Sequence, residues 1–244
     1  MDVQAVADAI EASLRRIGTP ARAVGEKAYL KSDLEFVGAT VWQTRDVVKA
    51  FLAEHGPYAH DDLVALADAL WRTPIHERRA AAIELLKAHA ARLSPGDLPF
   101  LERLIRESRT WALVDELAGV LVARMFVEHP EISSTLDRWA RDDDFWVRRS
   151  ALLAHLRRVR AGGALDGFAD QADAMLEEQE FFIRKAIGWV LREAGKRRPD
   201  EVVAWLGPRT ARASGVTMRE AVKYLPADDA ERLLSAYRSK RSAG

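Results

Sequence analysis

The chain has 244 residues and a mass of 27.3 kDa, enough to bury a continuous core in one large domain or in a row of stacked repeats. It contains no cysteine, which excludes disulfides, thiolate metal sites, iron–sulfur clusters and a cysteine nucleophile. The 37 basic and 37 acidic residues cancel, so bulk charge does not indicate a polyanionic partner.

The charges are nevertheless unevenly distributed along the chain. From residue 145 onward there are 19 Lys/Arg against 13 Asp/Glu, about +6, whereas the preceding part has 18 against 24, about −6. A polyanion would bind preferentially to the C-terminal part. The alternative is that the charges are distributed over helix surfaces and have no role in binding. The first thirty residues carry charges every few positions, so they predict neither a secretory signal nor a membrane span, and we expect a cytoplasmic protein without membrane contact.

Apolar residues spaced three and four apart predict helices along most of the chain, and no segment predicts a strand. In chain order, the predicted helices include 62–71, 75–92, 98–106, 111–128, 132–141, 145–160, 181–197, 201–206, 217–224 and 229–238. Ser94 and Asp144 stand where helix caps are expected. Residues 238–244 are predicted to form a flexible tail.

Six of these segments share one pattern, an ionisable residue followed by an apolar run. The ionisable residues, which we call the anchor positions, are Arg45, Arg79, Asp115, Arg149, Lys185 and Arg219. Their separations are 34, 36, 34, 36 and 34 residues. A period near 35 built from paired helices predicts an all-α, HEAT-like repeat α-solenoid of about six helix pairs, forming a single domain over residues 1–244.

Equivalent positions of a solenoid face the same way, so the anchor positions predict a row of five cations interrupted by one carboxylate. Such a row on a concave face suits a DNA backbone, because each cation that neutralises a phosphate releases counterions. The alternative is that these side chains bridge adjacent repeats and hold the stack together.

Two tryptophans accompany the anchor positions at helical spacing. Trp111 lies four residues before Asp115, and Trp189 lies four residues after Lys185. Two indole faces and one carboxylate would hold a planar cation, each cation–π contact contributing roughly 0.5–2 kcal/mol. The alternative is that both tryptophans belong to the core.

Purines alkylated at N3 or N7 are planar cations whose bond to deoxyribose is already weakened. Hydrolysis of that bond passes through a sugar with oxocarbenium character, which a nearby carboxylate stabilises and whose attacking water it positions. This chemistry requires no metal and no cofactor. Asp115 is therefore the candidate catalytic carboxylate.

Several stretches resemble the DNA alkylation repair family of AlkD-like glycosylases, and the likeness extends through nearly the whole chain. They are YLKSDLEFVG (29–38), TWALVDELA (110–118), DDFWVRRSAL (143–152), FFIRKAIGWVLRE (181–193) and REAVKYL near the end. The resemblance implies a HEAT-like fold whose concave face holds duplex DNA. It also implies release of 3-methyladenine and 7-methylguanine without base flipping.

The resemblance assigns the catalytic group of residues to Asp115, Trp111, Trp189 and Arg149, and places Tyr29 in the DNA cleft. Further DNA-binding candidates are Arg45, Arg79, Arg148, Lys185 and Arg219. The expected partner is double-stranded DNA containing alkylated bases. The protein is expected to be monomeric and to associate with the nucleoid when it is bound to DNA.

Trp42 departs from the family pattern, in which Thr-Pro and then Arg follow FVG. An indole at this helix start predicts an altered substrate range, so an enzyme devoted to bulky adducts is one alternative. A non-catalytic binding solenoid, with Asp115 buried against a neighbouring arginine, is another. The six histidines show no metal-ligand spacing and are expected on the surface or at helix caps, and the run 142–144 is interpreted as capping.

Overall fold

The structure is a computed structural model that describes the backbone of residues 2–56 and 58–241 and the side chains as far as residue 239. The chain divides into two compact units, Met1–Leu117 and Ala118–Gly244. Because the chain divides in this way, the single domain expected over residues 1–244 stays a prediction.

The described residues, 2–56 and 58–241, form sixteen α-helices, of which the first unit contains seven in succession. They are α1 (Val3–Ile17), α2 (Pro20–Leu30), α3 (Val41–His55), α4 (His60–Arg72), α5 (His76–Ala88), α6 (Leu98–Glu107) and α7 (Trp111–Glu116). The start of α3 shows how local sequence defines a boundary. Thr40 accepts a hydrogen bond from the Gln43 backbone N–H, and the Gln43 side chain accepts one from the Thr40 N–H. The core of this unit is formed by fully buried side chains of α4 and α5, including Leu66, Leu70 and Trp71.

A π-helical segment, Leu117–Val122, follows α7, and nine further α-helices come after it. They are α8 (Ala123–Glu128), α9 (Ser133–Trp139), α10 (Phe145–Leu153), α11 (Leu156–Arg160), α12 (Phe168–Ala174), α13 (Phe181–Gly195), α14 (Pro199–Leu206), α15 (Gly215–Ala221) and α16 (Ala227–Arg241). The core of the second unit includes Trp139, Phe168 and Ile187, all fully buried.

The all-α prediction is confirmed. Within 2–56 and 58–241 there is no β-strand, and the nearest approach to one is an isolated parallel bridge between Glu35 and Ile75. The predicted caps are also confirmed: Asp144 accepts a hydrogen bond from the Trp146 N–H at 2.8 Å, and Ser94 forms a capping box with Asp97.

Several helix boundaries differ from the prediction, including that of 111–128, which a π-helical segment divides. The helix predicted over 145–160 is divided into α10 and α11, and that predicted over 75–92 ends at Ala88, before a 3₁₀ turn. The last helix extends to Arg241, so residues 238–241 of the predicted tail are helical; residues 242–244 lie outside the described part of the chain. The spacing of apolar residues continues through such breaks, because a tight turn keeps these residues on the same side of the chain. The spacing therefore does not reveal where a helix is interrupted.

Polar side chains bridge residues about one repeat apart in both units. Arg103 donates to Asp68 at 2.5 Å in the first unit, and Gln171 donates to Asp137 at 2.9 Å in the second. The Leu165 backbone N–H donates to Glu201 at 2.8 Å. These pairs are 35, 34 and 36 residues apart, so the repeat period is also the spacing of the polar contacts that join successive helix pairs.

Two histidines correct the expectation that all six lie on the surface or at caps. His76 stacks on Phe36 with ring centroids 4.7 Å apart, and His155 lies within 3.2 Å of the Gln171 side-chain oxygen. Both side chains are buried. Burial, together with nearby Arg79, lowers the pKa of His76 to about 4; burial also lowers the pKa of His155 to about 4, although its hydrogen bond with Gln171 opposes the shift.

These buried imidazoles predict loss of stability in weak acid. An unfolded histidine titrates near pH 6.5, so between pH 6.5 and 4 the unfolded chain binds protons that the folded chain does not. The free energy of unfolding should therefore fall as the pH drops from 7 to 5, by about 2 kcal/mol for each of the two residues. Urea denaturation at the two pH values measures the fall.

His155→Gln should reduce the fall by about 2 kcal/mol, since it removes one of the two buried imidazoles. His60, whose pKa is raised by its hydrogen bonds with Asp61 and Asp97, contributes equally in both proteins. His76→Gln should reduce the dependence to a similar degree, since it removes the other buried imidazole. Equal pH dependence in the native protein and His155→Gln would show that His155 titrates normally in the folded state.

Candidate active site

Helix α7 presents the predicted carboxylate and its aromatic neighbour on one face. Trp111 is its first residue and Asp115 lies four residues later, about one turn along. Thr110 caps the helix by accepting from the Ala112 N–H at 3.4 Å. Both Trp111 and Asp115 are half-buried, so each retains a surface that solvent or a ligand can reach.

A second aromatic residue of the first unit contacts Trp111. The Tyr29 ring meets the indole edge-on, with centroids 5.9 Å apart and planes at 81°. Tyr29 is 71% exposed and is the penultimate residue of α2. The structure thus brings together Tyr29, Trp111 and Asp115, three of the residues predicted from the sequence.

Contacts of two arginines hold the turn that leads into α7. Arg109 adopts φ +55°, a left-handed conformation that is uncommon for residues other than glycine, and its guanidinium pairs with Asp33 at 2.7 Å. The buried Arg79 donates to the Trp71 carbonyl at 3.1 Å and to the Glu107 carbonyl at the end of α6. Arg79 therefore positions the segment that precedes the candidate carboxylate.

Glu77 is a supporting residue that the sequence analysis missed. Its carboxylate is buried and accepts from the backbone N–H groups of Val37 (3.0 Å) and Gly38 (2.6 Å). Burial raises the pKa of this carboxyl, although these hydrogen bonds oppose the shift. Gly38 has φ +81° and packs so closely on Thr19 that a side chain would clash.

Arg45 and Trp42 lie together near the start of α3. The Arg45 guanidinium stands 5.1 Å from the Trp42 ring centroid and pairs with Glu84 at 3.1 Å. Trp42 is 73% exposed. From Glu84 the ion pairs continue through Lys87 to Glu116, the neighbour of Asp115.

In the second unit, Arg149 is 2% exposed and faces the next repeat. It donates to the Phe182 carbonyl at 2.5 Å, and its guanidinium lies 5.8 Å from the Phe182 ring centroid. Arg148 is half-buried and pairs with Glu178 at 2.9 Å.

The predicted row of exposed cations is therefore wrong at Arg79 and Arg149. Their side chains are 5% and 2% exposed. Arg79 donates to the Trp71 and Glu107 carbonyls, and Arg149 donates to the Phe182 carbonyl. Arg219 is exposed, whereas Arg45 and Lys185 are partly exposed and paired with Glu84 and Glu220. The anchor positions thus divide into buried bridges and accessible cations.

Trp189 is half-buried, and the guanidinium of Arg160 lies 5.9 Å from its ring centroid. Near it, Glu220 binds Lys185 at 2.6 Å and Lys223 at 2.8 Å. Burial opposes the ionisation of Glu220, but hydrogen bonds from these two lysines outweigh it and lower the pKa of the carboxyl to about 2. Glu220 is therefore ionised at any physiological pH.

Neither a metal-binding group of side chains nor a membrane-spanning helix occurs among the described residues. No three of their His, Asp and Glu side chains form a group that could hold a metal ion. None of their helices combines the length and the apolar character needed to cross a membrane.

Paired helices, joined at a period near 35 residues by polar contacts, define an all-α protein with HEAT-like repeats. The family model described as DNA alkylation repair enzyme matches residues 10–225, and the chain belongs to this family.

Solved structures agree with this fold. A predicted DNA alkylation repair enzyme from Enterococcus faecalis is similar with a TM-score of 0.78 and 24% identity over 86% of this chain and 97% of that one. AlkD2 from Streptococcus mutans is similar with a TM-score of 0.61 and 16% identity over 84% of this chain and 100% of that one. No curated protein matches the chain.

Proposed function

We propose that this protein is a DNA glycosylase that hydrolyses the N-glycosidic bond of cationic alkylated purines, 3-methyladenine and 7-methylguanine, in duplex DNA without base flipping. The observation that carries the proposal is the half-buried Asp115 one helical turn from Trp111, with Tyr29 against the indole edge. Membership of a DNA alkylation repair family supports it.

The proposed reaction needs little from the protein beyond charge and position. The bond between C1′ and the base nitrogen breaks, and its electron pair passes to the cationic base, which leaves neutral. The Asp115 carboxylate stabilises the positive charge that develops on the sugar and orients the water that attacks C1′. The proton of that water passes to the carboxylate and then to solvent.

The remaining predicted residues have supporting roles in this proposal. Trp111 and Trp189 supply indole faces that attract the cationic nucleotide. Tyr29, Arg45, Arg148, Lys185 and Arg219 contact the DNA backbone. Arg79 and Arg149 are positioning residues, since they bind main-chain carbonyls of the next repeat. The protein acts as a monomer in the cytoplasm, on nucleoid DNA, and without metal or cofactor.

Chromatographic detection of free base tests the proposal. The native chain should release 3-methyladenine and 7-methylguanine from methylated duplex DNA and release nothing from unmethylated DNA of the same sequence. Tight binding to methylated duplex without release of either base would exclude this reaction and favour a non-catalytic DNA-binding protein.

The exposure of Trp42 favours a second candidate, excision of bulky flat adducts. Its indole is 73% exposed, and Arg45 lies over the ring, so a flat surface and a cation are offered together. We expect Trp42→Ala to lower release of a bulky aromatic adduct roughly tenfold, the effect of losing one stacking contact, while methylpurine release changes little.

Trp42→Phe is the matched control, because it keeps an aromatic face at the same position and should retain most of the release of the bulky base. Parallel single-turnover assays on bulky and methyl lesions measure the ratio. An unchanged ratio in Trp42→Ala would remove Trp42 from substrate selection.

A further inference from the structure

One anchor repeat lacks the aromatic residue that two earlier repeats of the second unit carry. Four residues before Arg149 and Lys185 stand Phe145 and Phe181, whereas Gly215 stands four residues before Arg219. Each of these three residues is the first of its helix, α10, α13 and α15 respectively. The space that a side chain would take at Gly215 is entered by the ends of the Tyr237 and Arg219 side chains.

That space belongs to a cavity of about 410 Å³. Its lining includes Arg184, Arg212, Ser214, Gly215, Tyr237 and Glu177. A side-chain carbon placed on Gly215 would lie 2.9 Å from the Tyr237 hydroxyl oxygen and 3.0 Å from Nη1 of Arg219. The missing side chain therefore allows a phenol and a guanidinium to converge on the cavity.

The charge of the cavity is positive. Arg184 and Arg212 line it beside one carboxylate, Glu177, which pairs with Arg212 at 3.2 Å. Arg219 adjoins the cavity at Gly215. Arg212 is also held by Asp173 at 2.9 Å, so it is the most neutralised of the three.

The other two guanidiniums retain free donors. Arg184 uses Nε for the Glu178 carbonyl at 2.6 Å and Nη2 for Gln179, so no described residue accepts from its Nη1. Arg219 is exposed, and no residue within the described ranges pairs with its guanidinium. Two sets of guanidinium donors are thus open to an anion.

We propose that this cavity binds a phosphate group of the DNA strand, with Arg219 and Arg184 as the charged donors. Guanidinium groups bind phosphate oxygens through paired N–H donors. The proposal rests on the proposed function insofar as DNA is the partner. It adds a specific place for one backbone phosphate.

Two variants test the cavity by different routes. Arg219→Ala removes a charged donor. Gly215→Ala removes no charge, but its methyl group displaces the ends of Tyr237 and Arg219, both flexible side chains that can move without disturbing the fold. The control is Arg197→Ala, which removes an equally exposed arginine beyond the far end of α13, roughly 18 Å along the helix from Lys185.

The measurement is the affinity for unmethylated duplex DNA over a series of chloride concentrations. We expect Arg219→Ala to weaken binding roughly 3- to 10-fold and to reduce the slope of log Kd against log salt by about 1, the signature of one lost phosphate contact. Gly215→Ala should weaken binding to a similar degree, and Arg197→Ala should match the native protein. If both cavity variants behave like Arg197→Ala, the cavity binds no phosphate of DNA.

A parallel competition separates strand phosphate from free phosphate. Inorganic phosphate should displace DNA from the native protein more effectively than chloride at equal ionic strength, and Arg219→Ala should abolish that difference. A specific phosphate effect together with unchanged DNA affinity in Arg219→Ala would assign the cavity to the free ion instead. Base release from methylated DNA is scored separately. If the native protein releases no base but both variants bind DNA more weakly, the glycosylase activity is rejected and the phosphate site is retained. If the native protein releases base but both variants bind DNA as tightly as it does, the phosphate site is rejected and the glycosylase activity is retained.

Discussion

Asp115→Asn is expected to lower the rate of methylpurine release roughly 10²–10³-fold, the usual effect of removing one electrostatic group that acts on the transition state. The amide has the same shape as the carboxylate but carries no charge to stabilise the oxocarbenium-like sugar. Asp115 lies on α7, whose start is capped by Thr110, so the substitution should leave the helix in place. Single-turnover release of 3-methyladenine from duplex DNA measures the rate.

The neighbouring carboxylate supplies a matched control. Glu116→Gln removes one negative charge at the next position of the chain, where the side chain pairs with Lys87 at 2.6 Å. We expect release by this variant to remain within a few-fold of native and both variants to bind duplex DNA. Equal losses in the two variants would mean that general charge, not Asp115, determines the rate.

Arg149→Ala is expected to destabilise the protein by about 2–4 kcal/mol. The substitution removes the donor that now lies 2.5 Å from the part-buried Phe182 carbonyl, and it opens a space beside the Phe182 ring. Because the arginine is buried, the slope of DNA affinity against salt should not change. Chemical denaturation and salt-dependent binding measure the two quantities.

Arg219→Ala is the matched control for stability, since it removes an arginine from an equivalent but exposed position. We expect its free energy of unfolding to stay within about 0.5 kcal/mol of native. A stable Arg149→Ala variant with a reduced salt slope would show that Arg149 reaches the DNA, as the family resemblance implies.

Arg149 and Arg219 show that the sequence period predicts the position of a residue in its helix but not its burial. The period predicts that Arg149 and Arg219 occupy the same place in their helices, and the structure agrees. What differs is the neighbour. Phe182, in the following repeat, offers Arg149 a carbonyl and a ring, whereas no described residue pairs with Arg219.

In the candidate active site, too, the sequence predicts local spacing but not the contacts between distant residues. The spacing of Trp111 and Asp115 within one predicted helix placed them on one face. The contact of Tyr29 with Trp111 joins residues 82 positions apart and has no local signal. The role of Glu77 was equally hidden, because its partners are backbone N–H groups near residue 38, and backbone groups leave no trace in side-chain patterns.

The sequence by itself determined the all-α class, the repeat period and the caps at Ser94 and Asp144, because these depend on interactions between residues a few positions apart. Only the tertiary structure decided which anchor residues are buried, which histidines are held neutral, and where Gly215 opens a cavity. Each of those properties depends on what the following repeat or the last helix places opposite a side chain. Burial and the available hydrogen-bond partners, not residue type, then determine whether an arginine holds the fold together or remains accessible to a ligand.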